Sequence, residues 1–144
     1  MGYEYLEHAA DVGVRAEGRT MEEAFESGAE AALNVMFDLS SIDETVTVSF
    51  AADAPEPALL FVETINEVLS IQDRHGLALK RLVSGEIRKT DDGYRFVGTA
   101  RGEPLDLNKH AVKTEVKAAT YSGLSYTESP DKEMRHAFEC VLDV

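Results

Sequence analysis

In Glu7-His8-Ala9-Ala10-Asp11-Val12-Gly13, a histidine and an aspartate stand where the chain enters an alternating, strand-like run. Histidine can ligate a metal or move a proton, and aspartate can ligate a hard cation. An aspartate capping a turn beside a backbone-bonded histidine would have the same spacing. The last residues, Phe138-Glu139-Cys140-Val141-Leu142-Asp143-Val144, still read as strand. Alternation puts Phe138, Cys140, Leu142 and Val144 on one face, with Val141 and Asp143 on the other. Asp143 then lies within one residue of the terminal carboxylate, and the two repel unless a positive charge separates them. A calcium-like ion would relieve the conflict, because it takes carboxylate and carbonyl oxygens together. A frayed end with both groups hydrated is the alternative. Lys117, amid small residues in Glu115-Val116-Lys117-Ala118-Ala119, can reach a phosphate or carboxylate or simply extend into solvent. Asp106, Lys109 and His110, just upstream, are candidates for the same surface.

Templates for a self-sufficient catalyst are missing. The sequence has no G-x-x-x-x-G-K-[ST] phosphate loop, no G-x-G-x-x-G, no G-x-S-x-G elbow and no H-E-x-x-H pair. Four scattered histidines (His8, His75, His110, His136) make no zinc set, and the single cysteine, Cys140, cannot form an internal disulfide. No apolar run approaches the roughly 20 residues of a membrane span, and the start lacks the basic and apolar regions of a signal peptide. The expectation is a soluble, cytoplasmic, monomeric protein with one domain over residues 1–144, a length ordinary for one core.

Charge is unevenly placed. Fourteen basic and 27 acidic residues give a net charge of −13, yet residues 77–144 carry 11 of each. The whole excess lies in residues 1–76, up to and including Gly76, which hold 3 basic and 16 acidic residues. A polyanion would be repelled by that acidic first half, so strong unaided nucleic-acid binding is not expected, whereas a basic protein partner or a cation would be attracted.

Positioning these residues falls to elements that the periodicity outlines. Val12 to Glu17 alternates as a half-buried strand. Thr20 and Glu23 form a capping box opening a helix to about Phe37, with Met21, Phe25, Ala29, Ala32 and Met36 on one stripe. Thr45 to Ala51 reads as a strand. Asp53 and Glu56 read as a second capping pair, with Pro55 in the first turn of a helix to Gln72 or Asp73. After Gly76 come strands only: Leu77–Val83, then Glu86–Thr90 and Tyr94–Arg101 around an Asp91-Asp92-Gly93 hairpin. A loop over Gly102–Lys113, a strand Thr114–Thr127 bent near Gly123, a turn at Ser129-Pro130-Asp131 and a final strand Glu133–Val144 complete the chain. With no crossover helices in the second half, the fold is expected to be α+β, a two-layer sandwich of mainly antiparallel sheet with two helices on one face.

The segments YLEHAADVGVRAEG, TMEEAFESGAEA, RGEPLD, TEVKAATYSGL and VLDV resemble those of the archease family, in order and over essentially the whole chain. That resemblance implies an α+β sandwich and a non-catalytic activator of the RtcB-type tRNA-splicing RNA ligase. Such a ligase uses GTP and a divalent metal to join RNA ends, and the family promotes its guanylylation and repeated turnover. The resemblance also implies a metal site, with calcium as the ion, at Asp11, Asp143 and Val144 through its backbone or terminal oxygens. Lys117, in the E-V-K-A motif, and His8 become candidates for contact with the partner or its nucleotide. Ala9 and Ser122 depart from the threonine and histidine that many members carry there. A general chaperone-like modulator and a metal-dependent hydrolase built on Asp11, Asp143 and His8 are the competing readings.

Overall fold

The computed structural model describes residues 2–8 and 10–144, without the side chain of His8. Strands β1 (Gly2–His8) and β2 (Asp11–Gly18) open the chain and lead into helix α1 (Met21–Met36). Strand β3 (Val46–Ala54), helix α2 (Pro57–Arg74) and strands β4 (Leu77–Thr90), β5 (Gly93–Pro104), β6 (Ala118–Glu128) and β7 (His136–Asp143) follow. All pairings are antiparallel, in two sheets ordered β1-β2-β7-β6 and β3-β5-β4. The expected α+β architecture is present, and its strands divide between two sheets served by a common pair of helices.

The helices join the sheets because each packs on both. Helix α1 lies against β2 and β4, and α2 against β3 and β6. Four phenylalanines meet where these layers converge: Phe25 of α1 lies 5.7 Å from Phe96 of β5 and 5.2 Å from Phe138 of β7, and Phe61 of α2 lies 5.0 Å from Phe138, centroid to centroid. Phe25, Phe61, Phe96 and Phe138 are all fully buried, so one apolar core spans both sheets. Contact with both sheets is why α1 buries eight residues on a broad face, Ala24 and Leu33 among them, rather than the narrow stripe expected.

Local signals account for most boundaries. Thr20 Oγ1 accepts from the Glu23 amide at 3.1 Å, as a capping box requires, while the Glu23 carboxylate accepts from the Arg19 amide at 2.8 Å, one residue earlier than the usual partner. At α2 the expected cap is wrong. Asp53 belongs to β3 and pairs with Arg95 at 2.9 Å; Glu56 is the N-cap without a side-chain cap bond, and Pro57 occupies the first turn. The strand continues past Ala51 because Asp53 finds a cross-strand arginine. Gly93, at φ 146°, follows the two-residue Asp91-Asp92 turn, and a Cβ there would stand 2.5 Å from the Ala54 carbonyl oxygen. Strand β4 runs unbroken through the two expected strands Leu77–Val83 and Glu86–Thr90, with register shifts between Leu79 and Arg81 and between Leu82 and Ser84. Strand β6 starts at Ala118 rather than Thr114, the four preceding residues lying outside the sheet. Its bend falls as expected, between Thr120 and Ser125, with Gly123 at φ 61°.

Candidate functional site

Asp11 opens β2 opposite His8 across the β1–β2 hairpin. On its other side β2 pairs with β7, with Val12 opposite Leu142. Continuing that register by one residue sets Asp11 beside Asp143, about 5 Å apart along the backbone by ordinary strand spacing. Asp143 is in turn opposite Ala118 of β6, and its carbonyl oxygen accepts from the Lys117 amide at 2.8 Å. Asp11, Lys117, Asp143 and Val144 thus come to one end of one sheet although they lie far apart in the sequence. Asp11 is half-buried, while Asp143 and Lys117 are exposed. Val144 is half-buried and packs against the main core. The His8 side chain and Ala9 lie outside the described residues.

The facing of these groups follows from the strand pleat. Val14, Ala16, Phe138, Cys140 and Leu142 fill the core, so the residues between them point to the opposite face, Asp11 and Asp143 with them. Two carboxylates side by side on one face repel. Among the described residues neither has a salt-bridge partner. The donor set is hard oxygen, which suits calcium better than a softer metal. Two side chains fall short of a full ligand shell, and among the described residues no three His, Cys, Asp or Glu side chains converge. Backbone oxygens and water would have to complete it.

Lys117 is held by a strap, residues 105–117, whose anchors no sequence pattern reveals. His110 is fully buried. The Asp106 amide donates to its Nδ1 at 3.0 Å, so Nε2 carries the proton and donates to Glu103 Oε2 at 2.9 Å. Lys109 Nζ reaches Glu103 at 2.8 Å and Asp43 at 2.8 Å. Lys109, the Asp43 amide and His110 together pull the Glu103 carboxyl down to about 2. Further along, Val112 bridges Phe37, the Lys113 amide donates to the Met36 carbonyl at 2.7 Å, and Val116 is buried. Asp106, Lys109 and His110 therefore shape the strap rather than present a reactive surface. Between the strap and α2 runs a cleft of about 630 Å³, bordered by Leu69, Asp73, Leu105, Val112 and Lys117.

Cys140 offers no thiolate chemistry, since burial pushes its pKa up to about 12. No helix among the described residues is long and apolar enough to cross a membrane.

Comparison with known proteins agrees with the family resemblance. Residues 3–144 match the model of the Archease protein family (MTH1598/TM1083). The chain is 37% identical over 129 residues to protein archease of Thermococcus gammatolerans, covering 90% of each chain. It is 35% identical over the same length to protein archease of Thermococcus kodakarensis, again covering 90% of each. The solution structure of Methanobacterium thermoautotrophicum protein 1598 superposes with a TM-score of 0.75 at 28% identity, covering 99% of both chains. On a family match that takes in nearly every residue and a fold that matches end to end, this chain belongs to the archease family.

Proposed function

We propose that this protein is an accessory activator of an RtcB-type tRNA-splicing RNA ligase, raising ligase guanylylation and turnover without joining RNA itself. The observation that carries this reading is the family membership, and the clustering of Asp11, Asp143 and Lys117 on one sheet end gives it a place to act. Asp11, Asp143 and a Val144 oxygen would hold calcium, which when bound supplies positive charge at an otherwise repulsive pair. Lys117, whose backbone amide is bonded to Asp143, carries an exposed side chain at the same sheet end, suited to a phosphate or carboxylate of the partner complex. Activation requires that this end bind one state of the ligase better than another.

Single-turnover guanylylation of a cognate ligase, with and without this protein, tests the proposal. The expected result is faster GMP attachment when the protein is present, lost in Asp11→Ala and Asp143→Ala with the fold retained by circular dichroism. Unchanged rates with a matched ligase would overturn it. The acidic surplus supports a second reading, a chaperone-like binder of basic clients; stimulation of unrelated clients that disappears in moderate salt would favour that version.

A further inference from the structure

The outward face of β3-β5-β4 departs from the charge of the rest of the chain. Strand register places Arg81 directly opposite Arg101 and Arg88 directly opposite Arg95. Like charges so placed destabilise a sheet. Between the two arginine pairs lie two rows, one of hydroxyls with Ser49 and Ser84 flanking Thr99, and one with Ala51 and Glu86 flanking Val97, the Glu86 carboxylate being turned to Arg88. Ser84 Oγ and Thr99 Oγ1 are 2.9 Å apart. The two register shifts in β4 fall just before Arg81 and just before Ser84 and bring both into rows with β5's outward residues, and bulges commonly re-aim side chains in this way.

The arginine pairs are unequally neutralised. Arg95 is bound to Asp53 at 2.9 Å and Arg88 to Glu86 at 3.2 Å. Arg81 meets Glu44 through Nε alone at 2.8 Å, and Arg101 meets only the Thr47 hydroxyl, through Nε at 3.2 Å. Among the described residues the Nη1 and Nη2 groups of Arg81 and Arg101 have no protein acceptor. Along β5 the face spans from Arg95 to Arg101, about 20 Å at ordinary strand rise. Its apolar members are Ala51 and Val97, too little for the apolar centre of a protein interface. Arginine with serine and threonine is instead the donor set that grips phosphate oxygens.

We propose that this face binds the phosphate backbone of single-stranded RNA, without regard to sequence, through Arg81 and Arg101 with the hydroxyl row beside them. Among the described residues no aromatic side chain stands on it to stack bases. The net charge of −13 makes binding weak, but at physiological salt repulsion from charges more than about 8 Å away is largely screened. The site is separate from the Asp11–Asp143 end, and its test needs no ligase, so it stands or falls apart from the activator reading.

The test is fluorescence anisotropy of a labelled oligouridylate with the full chain alone. Saturable binding is expected, weakening about sevenfold when salt rises from about 50 to about 200 mM if two phosphates are neutralised. The double variant Arg81→Gln, Arg101→Gln should lose at least about tenfold in affinity while melting at or above the parent's temperature, since it removes a repulsive pair. Arg135→Gln, in the connection between β6 and β7, should bind as the parent does. Inorganic phosphate should compete only at concentrations far above those of the oligomer. Absence of saturable binding, an unaffected double variant, or inorganic phosphate binding as tightly as RNA would overturn the proposal. So would a ligase contact that needs these arginines in a chain that does not hold RNA.

Discussion

Asp11 and Asp143 set two negative charges side by side where the described residues supply no counter-charge. Asp143→Asn should therefore raise the melting temperature slightly in the absence of divalent ions and abolish stabilisation by calcium. In the parent, calcium at about 100 times its dissociation constant should add about 2.7 kcal/mol, read by thermal unfolding with and without the ion. Glu103 makes a pH prediction. Its pKa is held down at about 2 in the folded chain, against an ordinary carboxylate value of 4.5. A depressed carboxylate stabilises above its unfolded pKa and loses that contribution as pH falls toward 2. Melting curves of the parent and Glu103→Gln should accordingly differ at about pH 6 and converge at about pH 2. A third residue works against the fold: the buried Oγ1 of Thr64 has no hydrogen-bond partner among the described residues. Thr64→Val keeps the shape and should stabilise by about 1 kcal/mol, measured by urea unfolding. Asp11, Asp143 and Lys117 are legible from sequence as groups able to do chemistry. Their meeting depends on β2 pairing with β7, and no local pattern specifies that. Glu103 is not legible at all, because its role comes from a histidine and a lysine that fold back onto it.

Among the elements, some signals act locally and others do not. Helix α1 is readable from Thr20 onward because its cap is chemical and its apolar spacing regular. Strand β1 escapes a reading of the sequence although Tyr3 and Tyr5 alternate with charged residues: it is an edge strand, with only β2 for a neighbour, and it buries little. The division of β4 into two runs follows the apolar pattern, which the two bulges shift by a residue each time. Sequence places Pro55 in the first turn of α2, and the pairing of β3 with β5 up to Ala54 moves that start to Pro57. Close packing of the helices gives a further prediction. A Cβ on Gly28 of α1 would fall 2.4 Å from the Phe61 ring of α2. Gly28→Ala should cost about 1–3 kcal/mol despite alanine's better helix propensity, as chemical denaturation would record.

At the scale of the molecule, α+β composition is legible because hydrophobic period changes from helical to alternating after Gly76. The split into two sheets is not, since it rests on long-range pairing. The net charge of −13 burdens the compact state with self-repulsion. Raising sodium chloride from about 20 to about 300 mM should therefore stabilise the chain by about 1 kcal/mol, or about 3–5 °C in melting temperature. The strand order β1-β2-β7-β6 has a consequence for biosynthesis. The β1–β2 hairpin leaves the ribosome long before β7 and must wait, one flank unsatisfied, until that strand is made. A prematurely terminated product without β7 would lose the middle of its sheet, leaving β2 and β6 with raw edges prone to aggregate. Such fragments should be cleared as insoluble waste and never accumulate as half-working copies.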